Sequence, residues 1–261
     1  MKVFILTKNS IILYSAIFLA LIGIFVVGSN FGDSVFTAAS SDDKIPIYCV
    51  QTDKPQIALT FDAAWGDEDT DKIISVLEQN GARASFFMVG GFINRFPKSV
   101  KKFSDAGHEI LNHSDTHAHL EGMSETDIIT EITACEEKIQ NITGVSKKLF
   151  RAPYGEYNEQ VVKIANANGY KVIQWDVDSL DWKDLSVDEI TNRVTSKVKN
   201  GSIILFHNGT ENTASALEKL LPILKEKGFD FVPVSELIYQ DNYHIDHEGK
   251  QIPDSGTVQG G

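Results

Sequence analysis

Seven short apolar runs, at 57–61, 84–89, 108–112, 148–151, 171–176, 202–206 and 229–232, alternate with helix-patterned stretches along the chain. Runs of this length and character read as strands. Strands separated by helical segments pair in parallel, because a parallel pair needs a long crossover that a helix supplies. The intervening segments carry start and stop signals. Ser124 and Asp127 stand in a capping-box arrangement before the stripe Ile128, Ile132, Cys135 and Ile139, which ends at Thr143 and Gly144. Ser186 and Glu189 form a second box before Ile190, Val194 and Val198. A third helix is expected over 69–80, with Ile73, Ile74 and Leu77 apolar and Gly81 as its stop. Seven such units imply an α/β domain with a parallel sheet, either closed into a barrel or left as a doubly wound open sheet.

Composition narrows the function. The 261 residues are 42 % hydrophobic and 23 % charged, enough for one large core and a short appendage. A formal charge of -12 with no dense Lys/Arg cluster argues against a nucleic-acid partner, whose phosphates are bound by cationic side chains. The two cysteines, Cys49 and Cys135, lack C-x-x-C spacing, so neither a zinc knuckle nor a redox pair is expected.

Localisation is read from the N-terminus. Residues 11–28 are uncharged and about long enough to cross a hydrocarbon core as one helix. Lys2 and Lys8 precede them and Asp33, Asp42 and Asp43 follow, which keeps the N-terminus inside and exports the rest. The expected layout is a cytoplasmic stub and single-pass membrane anchor over 1–30, a linker over 31–44, a domain over 45–240 and a polar, solvated tail over 241–261. A cleaved signal peptide ending near Thr37, Ala38 and Ala39 is the alternative, and would make the protein secreted. His244 and His247 fall in the tail and read as solvated.

In parallel α/β architectures, sites form where loops meet at the carboxyl ends of strands. Five polar groups fall there: Asp62, His113, Arg151, the Asp178–Asp181 stretch and His207. Asp62 alone could equally cap a turn. His113 and His117 have the i, i+4 spacing that puts two imidazoles on one side of a helical turn, as a metal pair requires, or else they belong to a solvated loop. His108 and His119 have no fixed partner and read as structural or surface residues. Arg151, ahead of Pro153, either orients a carboxylate or makes a structural ion pair. His207 follows an apolar strand and either emerges into a cleft or is held in the core. Trp65, Trp175 and Trp182 each adjoin an acidic motif, where a ring stacks on a sugar or is buried; burial suits Trp175 better.

Taken in order, TFD at 60–62, HSDTH at 113–117, RAPYG at 151–155, DSLDW at 178–182 and LFH at 205–207 resemble the polysaccharide deacetylase family, also called the NodB-homology domain or carbohydrate esterase family 4. The resemblance covers about 45–239, and TFDAAWGDE and WDVDSLDWKD look most like sporulation-associated PdaB-type members. It implies a distorted (β/α)7 barrel and a hydrolase that removes acetyl groups from amino sugars of a cell-wall or spore-envelope polysaccharide. It also implies a divalent metal, zinc above all, that polarises the acetamide. On the matching positions, Asp62 would be the base and Arg151 would orient it. His207, held by Asp181, would be the acid, His113 and His117 metal ligands, and Tyr154, Trp182 and Leu205 substrate-binding residues. The family pattern TFDDG departs here at Ala63, which replaces a ligand aspartate. Three outcomes follow: Asp67 substitutes after the Gly66 turn, Asp62 ligates directly, or the domain binds glycan or a protein partner without hydrolysing it.

Overall fold

The structure, a computed structural model, describes residues 44–183 and 185–254. The expected stub and membrane anchor over 1–30 lie outside the described residues, as does nearly all of the linker. No described helix is long and apolar enough to cross a membrane.

β1 (Cys49–Val50) leads into β2 (Gln56–Ala63), the longest strand. After it come α1 (Thr70–Gln79), β3 (Ser85–Met88), α2 (Gly90–Arg95), α3 (Pro97–Asp105), β4 (Glu109–Asn112), α4 (Glu125–Thr143) and β5 (Leu149–Phe150). The second half contains α5 (Glu159–Ala167), β6 (Lys171–Val172), β7 (Val177–Asp178), α6 (Val187–Lys197), β8 (Ile203–His207) and α7 (Thr213–Glu226). β9 (Asp230–Phe231), α8 (Val234–Leu237), β10 (Tyr243–Ile245) and β11 (Lys250–Pro253) complete the order. Each of the seven expected runs contains a strand. The run 171–176 contains β6 and stops short of β7, which pairs instead with β8.

The main sheet has the order β6-β5-β4-β3-β2-β8-β7, with β9 added to the start of β2, and every pairing is parallel. β6 and β7 occupy opposite edges, yet only residues 173–176 separate them in sequence. Four residues span at most about 14 Å, so the two edges must come round to meet and the sheet must curl. The segment 47–51 fills the seam. Ile47 N–H donates to Val172 O and its carbonyl accepts from Gln174 N–H, while Val50 N–H donates to Gly201 O. The architecture is thus a curled parallel half-barrel, matching the expected (β/α)7 barrel and excluding the open sheet.

The period of two along β2 sorts its side chains. Ile57, Leu59, Phe61 and Ala63 join the large cluster under α1 and α7, with Ile73, Leu77, Leu217 and Leu221. Ala58 belongs to the other cluster, with Phe87, Leu111, Leu149, Ile173 and Ile203 inside the curl. A strand buried on both faces tolerates apolar residues at nearly every position, which is why β2 reads as a continuous run. The helix signals hold: Ser124 accepts from Asp127 N–H, Gly144 ends α4 in the left-handed region, and Ser186 with Glu189 forms a complete capping box.

The expectation of a solvated tail is corrected over 241–254. β10 and β11 pair antiparallel, and β11 adds in parallel to β1. The signal that outweighs the polar composition is Gln251, fully buried, whose amide donates to Tyr239 O and accepts from Tyr239 N–H, both at 2.8 Å. His244 pairs with Asp254 on the surface.

Candidate active site

The carboxyl ends of the strands surround a cleft of about 440 Å³, lined by Asp62, His113, His117, Tyr154, Trp182 and His207, with Ala64, Trp65, Trp175, Asp178 and Leu205. Asp62 ends the inward row of β2, and in register beside it on β8 stands His207. Neighbouring strands lie about 4.8 Å apart, so one ladder rung brings the carboxylate and the imidazole together.

Arg151 is fully buried and stacked 4.0 Å from the Phe87 ring centroid. Its Nη1 donates to Asp62 Oδ1 at 2.7 Å, its Nη2 to Thr60 Oγ1 and Gln174 O, and its Nε to Ile173 O. Four acceptors in fixed positions leave the guanidinium one orientation. Burial alone would raise the Asp62 pKa, but the Arg151 charge and its hydrogen bond to the carboxylate, with His207 beside them, more than offset it and hold the carboxyl below the usual range.

His113 donates from Nδ1 to the Arg151 carbonyl at 2.8 Å, which leaves the Nε2 lone pair 3.4 Å from Asp62 Oδ2. His117 meets His113 edge to face, with ring centroids 5.1 Å apart. The expected helical turn is corrected: 113–117 is an irregular loop in which Ser114 and His117 have positive φ, yet it brings the two rings together. Burial depresses both imidazoles, His117 to about 4, so both are neutral and able to ligate at ordinary pH.

Asp181 Oδ1 accepts from His207 Nδ1 at 2.8 Å, while Oδ2 accepts from the His207 backbone N–H and from Thr213 Oγ1. Burial lowers the His207 pKa, but the bond to Asp181 and its charge raise it more, so the net shift is upward. Sequence reasoning missed Thr60 and Thr213, which fix Arg151 and Asp181; a threonine in a strand or at a helix start carries no signal of that role. Trp175, expected to be buried, is half-buried and lines the cleft.

Tyr154 is strained, with φ 61, and Gly155 follows with φ 70. A Cβ on Gly155 would lie 2.7 Å from the Trp175 ring, so glycine is required there by both conformation and space. The exposed Tyr154 ring packs against His117 at 4.4 Å and stacks on His119 at 4.2 Å.

Asp67 does not return to the histidines. Ser99 Oγ donates to its Oδ2 at 2.5 Å, which ties it to α3, and it does not line the cleft. Ala63 is fully buried in the helix-facing cluster. Among the described residues no three His, Cys, Asp or Glu side chains gather closely enough to hold a metal ion. The two adjacent imidazoles are of the donor type that a divalent cation takes, and among the described residues no third protein ligand is gathered with them.

The sequence profile described as Polysaccharide deacetylase matches residues 50–173. A peptidoglycan-N-acetylglucosamine deacetylase of Bacillus cereus is 37 % identical over 188 residues, 70 % of this chain and 68 % of the relative. The chain belongs to the polysaccharide deacetylase family. This deacetylase-family chain also matches the PgdA peptidoglycan-N-acetylglucosamine deacetylase of Listeria monocytogenes at 32 % identity, covering 82 % of the chain but only 44 % of that longer protein. Among solved structures, wild-type BA3943 of Bacillus anthracis, described as a family 4 pseudoenzyme, superimposes with a TM-score of 0.71 at 32 % identity, over 74 % of this chain and 69 % of that one. A mutant of that pseudoenzyme is described as having restored enzymatic activity. The family thus contains both active deacetylases and pseudoenzymes on the same frame.

Proposed function

We propose that the domain is a metal-dependent N-deacetylase acting on N-acetylated amino sugars of a peptidoglycan-type polymer in the cell wall or spore envelope. The observation that carries this reading is the pairing of Asp62 with His207 across one β2–β8 rung, each locked by its own buried partner, Arg151 and Asp181. A carboxylate biased toward its ionised form beside an imidazole biased toward its protonated form is the arrangement amide hydrolysis needs.

Asp62 takes the proton of an attacking water, and Arg151 keeps the carboxylate aimed and charged. His207, whose Nδ1 proton is fixed on Asp181, presents Nε2 to the cleft and delivers a proton to the departing amine. His113 and His117 would hold the divalent cation, of zinc type by donor chemistry, which supplies Lewis acidity toward the acetamide carbonyl. Leu205 and Trp182 line the cleft where an acetyl methyl needs an apolar wall, and Tyr154 borders the carbonyl side.

The test is acetate release from N-acetylglucosamine oligomers by the purified domain, with zinc added and removed. Activity that Asp62→Asn abolishes supports the reading. Stoichiometric oligomer binding with no acetate at any metal concentration would replace it with a second one, a glycan-binding pseudoenzyme, which Ala63 favours.

The uncharged segment 11–28 and its charge asymmetry support a membrane-anchored domain facing outward, and the TFDAAWGDE and WDVDSLDWKD stretches support a PdaB-like member. A reporter fused after Gly261 should then be active outside the cytoplasm, and the domain should be removed by protease added to protoplasts. Full protection would refute export.

A further inference from the structure

We infer that Trp65 is a sugar-stacking platform that seats the pyranose ring next to His207, and that it sets affinity for the polymer independently of the metal. The inference rests on the glycan reading above but not on catalysis.

Four large hydrophobic side chains are exposed among the described residues: Trp65, Val145, Tyr154 and Trp182. Three of the four border the same cleft. An exposed indole is costly to solvate, and its concentration at a cleft mouth marks a surface that is covered by ligand. The flat face of a pyranose, with its axial C–H groups, is the ligand chemistry that complements an aromatic face beside polar groups.

Trp65 differs from the other two in where it is held. Its ring centroid lies 5.5 Å from that of His207, tilted by 33°, while about half its surface remains open. The β2–α1 loop that carries it is clasped to the β8–α7 loop. Asn208 Nδ2 donates to Gly66 O at 2.6 Å, and Gly209 N–H donates to Asp69 Oδ2 at 2.8 Å. A Cβ on Gly209 would come within 3.0 Å of Gly66 N, so the two loops abut backbone to backbone. The clasp fixes the indole relative to the imidazole, and a fixed platform binds with less loss of side-chain entropy than a mobile one. Since the proposed acid must reach the amine of the sugar being processed, a ring packed against His207 meets that sugar or its immediate neighbour in the chain.

The experiment titrates N-acetylglucosamine tetramer into the chelator-treated domain by calorimetry. Trp65→Ala should weaken binding by about tenfold, the scale of one aromatic contact, while Trp65→Phe recovers most of it and the melting temperature stays near wild type. As an independent readout in the unmodified protein, the Trp65 indole N–H resonance should shift on titration. Binding by Trp65→Ala within twofold of wild type, an unmoved indole signal, or no tetramer binding by the wild-type domain would each overturn the inference. Loss of affinity in Trp65→Ala from a domain that releases no acetate would uphold it and remove only the deacetylase assignment.

Discussion

Ala63 is one methyl group in a strand, yet it is where a third ligand for the two imidazoles can be tested. Its side chain is fully buried on the helix-facing side of β2, one position from the Asp62 carboxylate that lines the cleft. Placing an aspartate there buries a charge without a partner, which costs several kcal/mol unless something neutralises it. Ala63→Asp should therefore lower the melting temperature of the metal-free domain and show a larger rise than wild type when zinc is added, because an ion that binds only the folded state stabilises it by mass action. Thermal melts with and without zinc check this; equal zinc responses would mean that residue 63 cannot reach the histidines. The candidate residues legible in the sequence, Asp62, His113, Arg151 and His207, share one property: each ends or directly follows an apolar run, so its exit into the strand-end loops is fixed by the run itself. Thr60 and Thr213 were not legible because their partners, Arg151 and Asp181, reach them only when segments distant in sequence become neighbours in the fold. Asp67 failed for a related reason, since Ser99 of α3 competes for it and no local pattern reveals that competition.

At the scale of elements, the capped helices and doubly buried strands announce themselves because their signals lie within a few residues of one another. The C-terminal strands do not. β10 and β11 contain charged and polar residues, and their order comes from pairing with each other and from the pairing of β11 with β1, some 200 residues away. Gln251 completes that arrangement by answering both backbone groups of Tyr239 with its amide. Gln251→Ala leaves a buried N–H and a buried carbonyl unpaired and should cost about 2–6 kcal/mol, since each unsatisfied group costs about 1–3 kcal/mol. Urea unfolding measures this, and a loss under 0.5 kcal/mol (roughly the range of a surface substitution) would show that the hairpin contributes nothing to the fold.

For the whole molecule, acid sensitivity follows from buried imidazoles. Burial pushes His108 down from 6.5 to about 4, beneath Phe86 and Phe103. Above pH 6.5 the ring is neutral in both states and contributes nothing to the pH dependence. As pH falls from 6.5 toward 4, the unfolded chain takes up the proton first and stability is lost, approaching about 2–3 kcal/mol at the lower end. His108→Asn, whose amide can still accept from Ala84 N–H, should remove that share of the slope; His113 and His117 titrate in both proteins and cancel in the comparison. Identical slopes for the two proteins would locate the acid sensitivity elsewhere. The seam has a mechanical consequence as well. The chain enters the barrel through Ile47, whose carbonyl accepts from Gln174 N–H, and the Gln174 carbonyl in turn accepts from the Arg151 guanidinium that grips Asp62. A pull on the leading segment is carried in shear by the bonds to Val172, Gln174, Gly201, Gly249 and Gln251 together, so the seam resists tension as a unit. Whatever strain does pass through reaches the Asp62 carboxylate in two hydrogen bonds and one ion pair, which couples the orientation of that carboxylate to load on the segment that begins at Ile47.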